Sequence, residues 1–157
     1  MASRIPTEIS AALADRADAV RERATGRILD LDETGLADAD GRYDTIISVV
    51  KAPLETDLDH FCRELANRLA PHGMLYLLEP TIRTGPLGRA LRLGGRLARP
   101  VTGLHLDRDI PQAVRRAGLF VADLHRFEIA SVSAPLRPFV EAWARFPTSA
   151  PDTDRVS

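Results

Sequence analysis

The chain has 157 residues, 45% hydrophobic and 27% charged, with a formal net charge of −1. That length suits one domain, and the balance excludes collagen-like, low-complexity and wholly disordered chains. No apolar run nears the ~18 residues of a membrane span, the near-zero charge gives no global field toward nucleic acid, and a single cysteine, Cys62, excludes an internal disulfide framework or a multi-cysteine zinc site.

In chain order, the opening MASRIPTEIS lacks a continuous apolar stretch of the secretory kind, so the expected compartment is the cytoplasm. Residues 6–24 predict a helix, with Ile9, Leu13, Ala17 and Val20 on one stripe and Arg16, Arg21 and Glu22 elsewhere on its surface. Arg27–Leu31 reads as a short strand, followed by an acidic, turn-rich stretch over 32–42 in which Asp32 and Glu33 read as solvated loop charges. Tyr43–Val50 is β-branched and nearly continuous, as expected of a strand buried on both faces. A helix over 56–70 follows, capped by Thr56 with Asp59 three residues on, its stripe formed by Leu58, Phe61, Cys62, Leu65 and Leu69. On that stripe Cys62 reads as core, and His60 as solvent-facing. Pro71-His72-Gly73 ends the helix, with His72 as a turn residue, and Met74–Leu78 predicts a third strand.

Residues 81–106 carry five arginines and no acid, and predict short helices or a basic lid. Asp109 caps a helix over Ile110–Ala117, with Pro111 in its first turn and Gly118 past its end. Phe120–Ala130 and Phe139–Phe146 read as strands, Trp143 as a packing anchor, and 148–157 as a polar tail behind a single domain of 1–147. Strands alternating with helices, closed by two strands on a short link, predict an α/β, Rossmann-like sheet of five strands, four parallel and one antiparallel, in the order 1-2-3-5-4. The four histidines show no ligand spacing, so no metal site is expected.

Several ordered motifs go beyond pattern. Tyr43-Asp44-Thr45-Ile46-Ile47-Ser48, Arg68-Leu69-Ala70-Pro71-His72-Gly73, Leu77-Leu78-Glu79-Pro80, Asp107-Arg108-Asp109 and Ala117-Gly118-Leu119-Phe120 follow one another at fitting distances. From about Leu36 to Ala144 the chain resembles class I S-adenosylmethionine (SAM)-dependent methyltransferases, especially the ubiquinone/menaquinone-type small-molecule group, with His72 in place of the first of two usual glycines. The resemblance implies cofactor positions at Asp30, Gly35, Ser48 and Val50. It implies substrate-side positions at Lys51, Glu79, His105 and Arg108, with His105 as a candidate base.

The departure lies at the start. Where the family has a strand and a glycine-rich turn, "LD-x-G-x-G-T-G", this chain reads Leu29-Asp30-Leu31-Asp32-Glu33-Thr34-Gly35. Two carboxylates stand where the backbone should approach the cofactor, each repelling its carboxylate by ~1 kcal/mol even when solvated. The family's first helix, second strand, second helix and third strand have no counterpart before Tyr43, nor does the acidic residue that holds the ribose. Such a truncated sheet leaves the first strand as an exposed edge, to be covered by the N-terminal helix or a partner chain. Its pairing with the second strand is parallel or antiparallel.

Three functions remain in view. The first is a degenerate, non-catalytic partner or regulatory subunit of another protein such as an active methyltransferase, associating through the first-strand edge as a homo- or hetero-oligomer and needing no cofactor as an isolated chain. The second is an active SAM-dependent methyltransferase on a small organic metabolite, its site completed by oligomerisation. The third is a binding module using the basic 81–106 stretch, although neither nucleic acid nor membrane contact is expected of the chain.

Overall fold

A computed structural model describes residues 7–81, 105, 108–132 and 137–148. The 81–106 lid expectation and all of the tail beyond Thr148 fall outside these residues, apart from Thr81 and His105.

Five strands form one sheet in the order β1-β2-β3-β5-β4, comprising β1 (Ile28–Asp30), β2 (Tyr43–Val49), β3 (Leu69–Pro80), β4 (Phe120–Glu128) and β5 (Pro138–Arg145). β1 pairs parallel with β2 and β2 parallel with β3, while β5 runs antiparallel to both β3 and β4. Four strands are therefore parallel and one antiparallel, the α/β arrangement expected. The parallel choice for β1 and β2 follows from their link. Only a three-residue 3-10 turn, Leu36–Asp38, interrupts it, and it passes over one face with Leu31, Leu36 and Ala39 packed into the core there.

Both faces of the central strands are buried, which explains the unbroken apolar reading of β2. On one face α2 (Leu58–Arg68) and α3 (Ile110–Arg116) pack Phe61, Cys62, Leu65, Ile110 and Val114 against Ile46, Leu75, Leu77 and Val140. On the other, α1 (Thr7–Arg23) sets Ile9, Leu13, Ala17 and Val20 against Ile47, Val49, Tyr76, Leu78 and Phe139. These four residues recur every three or four positions, so one stripe buries them all. Arg16 extends the contact, pairing with Glu141 at 2.7 Å and lying 4.1 Å from the Phe127 ring centroid. Trp143 anchors this face against Tyr76, ring centroids 4.9 Å apart.

Three local expectations are corrected. α1 covers a face of the sheet and not the β1 edge, where Ile28 stays 42% exposed, because its apolar stripe fits the wider surface of β2, β3 and β5. The α2 cap is Asp57, whose Oδ1 accepts the His60 amide at 2.9 Å, so the helix begins two residues later than predicted. β3 begins at Leu69, because Leu69 pairs with Tyr43 across the sheet. Within that extension a Cβ on Gly73 would lie 2.9 Å from the Tyr43 carbonyl, so only glycine lets the strands approach there. Among the described residues no helix is long and apolar enough to cross a membrane.

Candidate functional site

In open α/β sheets ligands bind beyond the carboxyl ends of the strands. Here that rim has two gaps, one between β1 and β2 and one between β2 and β3.

The first gap is built around Asp30, the last residue of β1, which is 8% exposed. Its Oδ1 accepts the Asp32 amide at 2.9 Å and its carbonyl accepts the Thr34 amide at 2.9 Å, folding the chain into a closed turn directly after the strand. Its Oδ2 accepts Arg21 Nε at 2.6 Å. The same guanidinium reaches Asp32 at 2.7 Å and Asp18 at 3.1 Å, and Lys51 Nζ closes the group on Asp32 at 2.6 Å. The hydrogen bond to Asp30 above all holds the Arg21 pKa well above its ordinary value. Asp32, expected to be a solvated loop charge, is thus the bridge between α1 and the end of β2. Its side chain sits between two cations that the fold delivers from either side. What remains open beside the network is a cleft of about 230 Å³ bordered by Leu13, Ala17, Arg21, Asp32, Val49 and Val50.

The second gap is closed from within. Glu79 is fully buried, and its carboxyl takes the Ser48 hydroxyl at 2.6 Å and the amides of Lys51 and Ala52 at 3.1 and 3.2 Å. Burial pushes this carboxyl up to about 8, against the pull of the three donors. Between the two gaps the chain leaves β2 through Val50, buried and at φ 51°, whose amide donates to the Leu78 carbonyl at 2.9 Å. The loop beyond is clasped by Arg108, which donates to the carbonyls of Ala52 at 3.0 Å and Thr56 at 2.9 Å, and by the His105 amide on the Pro53 carbonyl at 2.9 Å.

The eight singled-out positions therefore divide. Asp30, Val50 and Lys51 meet at the first gap. Ser48 and Glu79 bond each other at the second, and His105 and Arg108 hold the loop beside it. Gly35 stands apart, exposed at the start of the 3-10 turn with φ −60°, a conformation any residue adopts. Arg21 was missed, although it is the hub of the first gap. Its only sequence signal is a basic residue in the last turn of a helix that precedes an Asp-x-Asp turn. Cys62 is no nucleophile, since burial first, with Glu79 and Asp59 adding, pushes its thiol up to about 12.

No protein-family model and no curated protein sequence matches the chain. Solved structures do match in fold. A SAM-dependent methyltransferase from Thermotoga maritima aligns over 88% of this chain and 91% of its own at 12% identity, with a TM-score of 0.56. The [4+2]-cyclase SpnF aligns over 87% of this chain at 15% identity and TM-score 0.51, and this chain covers 64% of its length. A Haloferax volcanii protein described as a methyltransferase, in complex with the Trm112 methyltransferase activator, aligns over 85% of this chain and 68% of its own at 14% identity and TM-score 0.51. At these identities the likeness is one of fold.

Proposed function

We infer that this chain, which has the class I SAM-dependent methyltransferase fold, is a non-catalytic version of it that works by associating with another protein. One observation carries this reading: the group Arg21, Asp30, Asp32 and Lys51 satisfies itself across the rim where the fold's cofactor would lie. Three features of the gap do not fit that cofactor. The cleft of about 230 Å³ is smaller than the ~300–1,000 Å³ of small-molecule sites. The backbone after β1 folds onto Asp30, so no helix N-terminus opens there to offer amide donors. Its two cations already face carboxylates of the chain itself, leaving neither to hold an incoming one.

What such a protein can offer is surface. β1 is a three-residue edge with Ile28 exposed, a short strand that a partner could extend or cover. A Haloferax protein described as a methyltransferase, similar in fold to this chain, is found in complex with the Trm112 activator, so a protein of this fold can work within a complex.

Calorimetric titration of the isolated chain with SAM and its demethylated product tests the first half of this reading. No saturable heat is expected, and micromolar binding would overturn it. If a neighbouring reading frame encodes a full-length methyltransferase, sedimentation of the chain with that protein tests the second half. A defined complex with altered methyl transfer supports the subunit role, and independent sedimentation with unchanged transfer removes it.

A second reading is an active methyltransferase on a small organic metabolite, favoured by the near-complete alignment with the Thermotoga enzyme. Asp30, Gly35, Ser48 and Val50 would then face the cofactor and Lys51, Glu79, His105 and Arg108 the substrate, within an oligomer that widens the cleft. Positioning would supply most of the rate. Label transfer from SAM by the purified oligomer, abolished by Asp30→Ala, is its expected signature.

A further inference from the structure

The pole of the sheet opposite that rim carries a larger concavity. Because β5 runs antiparallel, its C-terminal end meets the N-terminal ends of β2 and β3 there. A groove of about 720 Å³ opens among Arg42, Pro71, His72, Arg145, Phe146 and Thr148, within the size range of small-molecule sites.

Its charge is one-sided. None of the described residues lining it is acidic, while it holds two guanidinium groups and an imidazole. Arg16, Arg27 and Arg116 elsewhere on the surface each pair with a carboxylate. Arg42 has no such partner among the described residues. Arg145 donates to the Phe146 carbonyl at 3.4 Å and the Thr148 hydroxyl at 3.2 Å, both neutral groups, so among the described residues no carboxylate offsets it. Arg42 directly precedes β2, His72 lies in β3 and Arg145 ends β5, three neighbours in the sheet. Pro71, Phe146 and Pro147 supply apolar wall with little side-chain freedom to lose.

We propose that this groove binds a small organic phosphate: a phosphate monoester on an aromatic or apolar body, the phosphate between Arg42 and Arg145 beside His72, the body against Phe146 and the prolines. Two guanidinium groups lining one groove match a doubly charged group with three free oxygens better than a single carboxylate. The site is independent of the reading of the rim.

Phenyl phosphate is the probe, with phenol and inorganic phosphate as its halves. Titration followed by amide and His72 side-chain resonances should show saturable binding of phenyl phosphate, weaker binding of inorganic phosphate, and no saturation with phenol. R42Q/R145Q should weaken phenyl phosphate by about ten-fold or more while leaving far-UV circular dichroism unchanged. Should the double variant fail to fold, R42Q alone carries the comparison, since Arg42 is exposed and bonds nothing the fold needs. Absence of saturation at millimolar probe, undiminished binding in the variant, or equal affinity for inorganic phosphate or phenol would each overturn the proposal.

Discussion

Two adjacent gaps along one rim of this sheet are closed by opposite chemistry. Between β1 and β2, three partly exposed charged side chains meet the buried Asp30, with Arg21 and Asp32 about one-third exposed. Between β2 and β3, one carboxyl lies wholly inside the protein with three donors on it. Partly exposed ion pairs gain little net free energy and are screened by salt. A buried acceptor that vanishes strands every donor it served. Closing the crevice and holding the sheet together are therefore separate tasks, carried by separate residues.

The largest effect expected from breaking this contrast is at the buried gap. Glu79→Ala leaves the Ser48 hydroxyl and the Lys51 and Ala52 amides without their acceptor and should cost about 2–4 kcal/mol in urea unfolding. A loss under about 1 kcal/mol would place both gaps in the same energetic class.

The same residue sets a pH signature. Burial raises the folded carboxyl to about 8 from its ordinary 4.5, so the folded chain holds a proton that the unfolded chain releases between those values. Stability conferred by the protonated form is full below pH ~4.5 and is lost as the pH rises through ~8, with a slope of at most about 1.4 kcal/mol per unit. The stability difference between the wild-type chain and Glu79→Gln, followed from pH 5 to 9, should carry that slope. A flat difference would mean that the group is ionised throughout.

At the wet gap the effects shrink. Arg21→Ala should cost about 1–2 kcal/mol at low ionic strength and visibly less in molar salt, because Asp30 keeps one amide donor and Asp32 is partly exposed to solvent. Lys51→Ala should cost no more than about 0.5–1 kcal/mol, since Asp32 retains Arg21. Thermal melts at two salt concentrations measure both, and salt-independent losses would move this network into the protein's interior.

Much of the fold was legible because local and long-range cues agreed. The uninterrupted Tyr43–Val50 run announced a strand covered on both sides, Asp109 with Pro111 announced a helix start, and the ordered motifs placed the last strand between the third and fourth. The misreadings came from contacts that no local rule contains. Leu69 looked like the last stripe residue of a helix, but pairing with Tyr43 drew it into β3. The rim was legible as residues and illegible as partners. Asp32 stood out as a charge, yet its neutralisation depends on where α1 crosses the sheet and so brings in Arg21, and on where β2 ends and so brings in Lys51. Ser48 and Glu79 lie 31 positions apart and meet only because β2 and β3 pair in register.

Val50 is the one non-glycine residue at positive φ among those described, and β-branching makes that posture costly, by about 1–3 kcal/mol. Its buried side chain returns about 2 kcal/mol by forming the floor beneath α1. Replacing it with glycine would relax the backbone and hollow out that floor at once, two changes that nearly cancel in folding free energy. Room for a guest could thus be carved beside Asp30 with almost no thermodynamic penalty, by trimming a single isopropyl group.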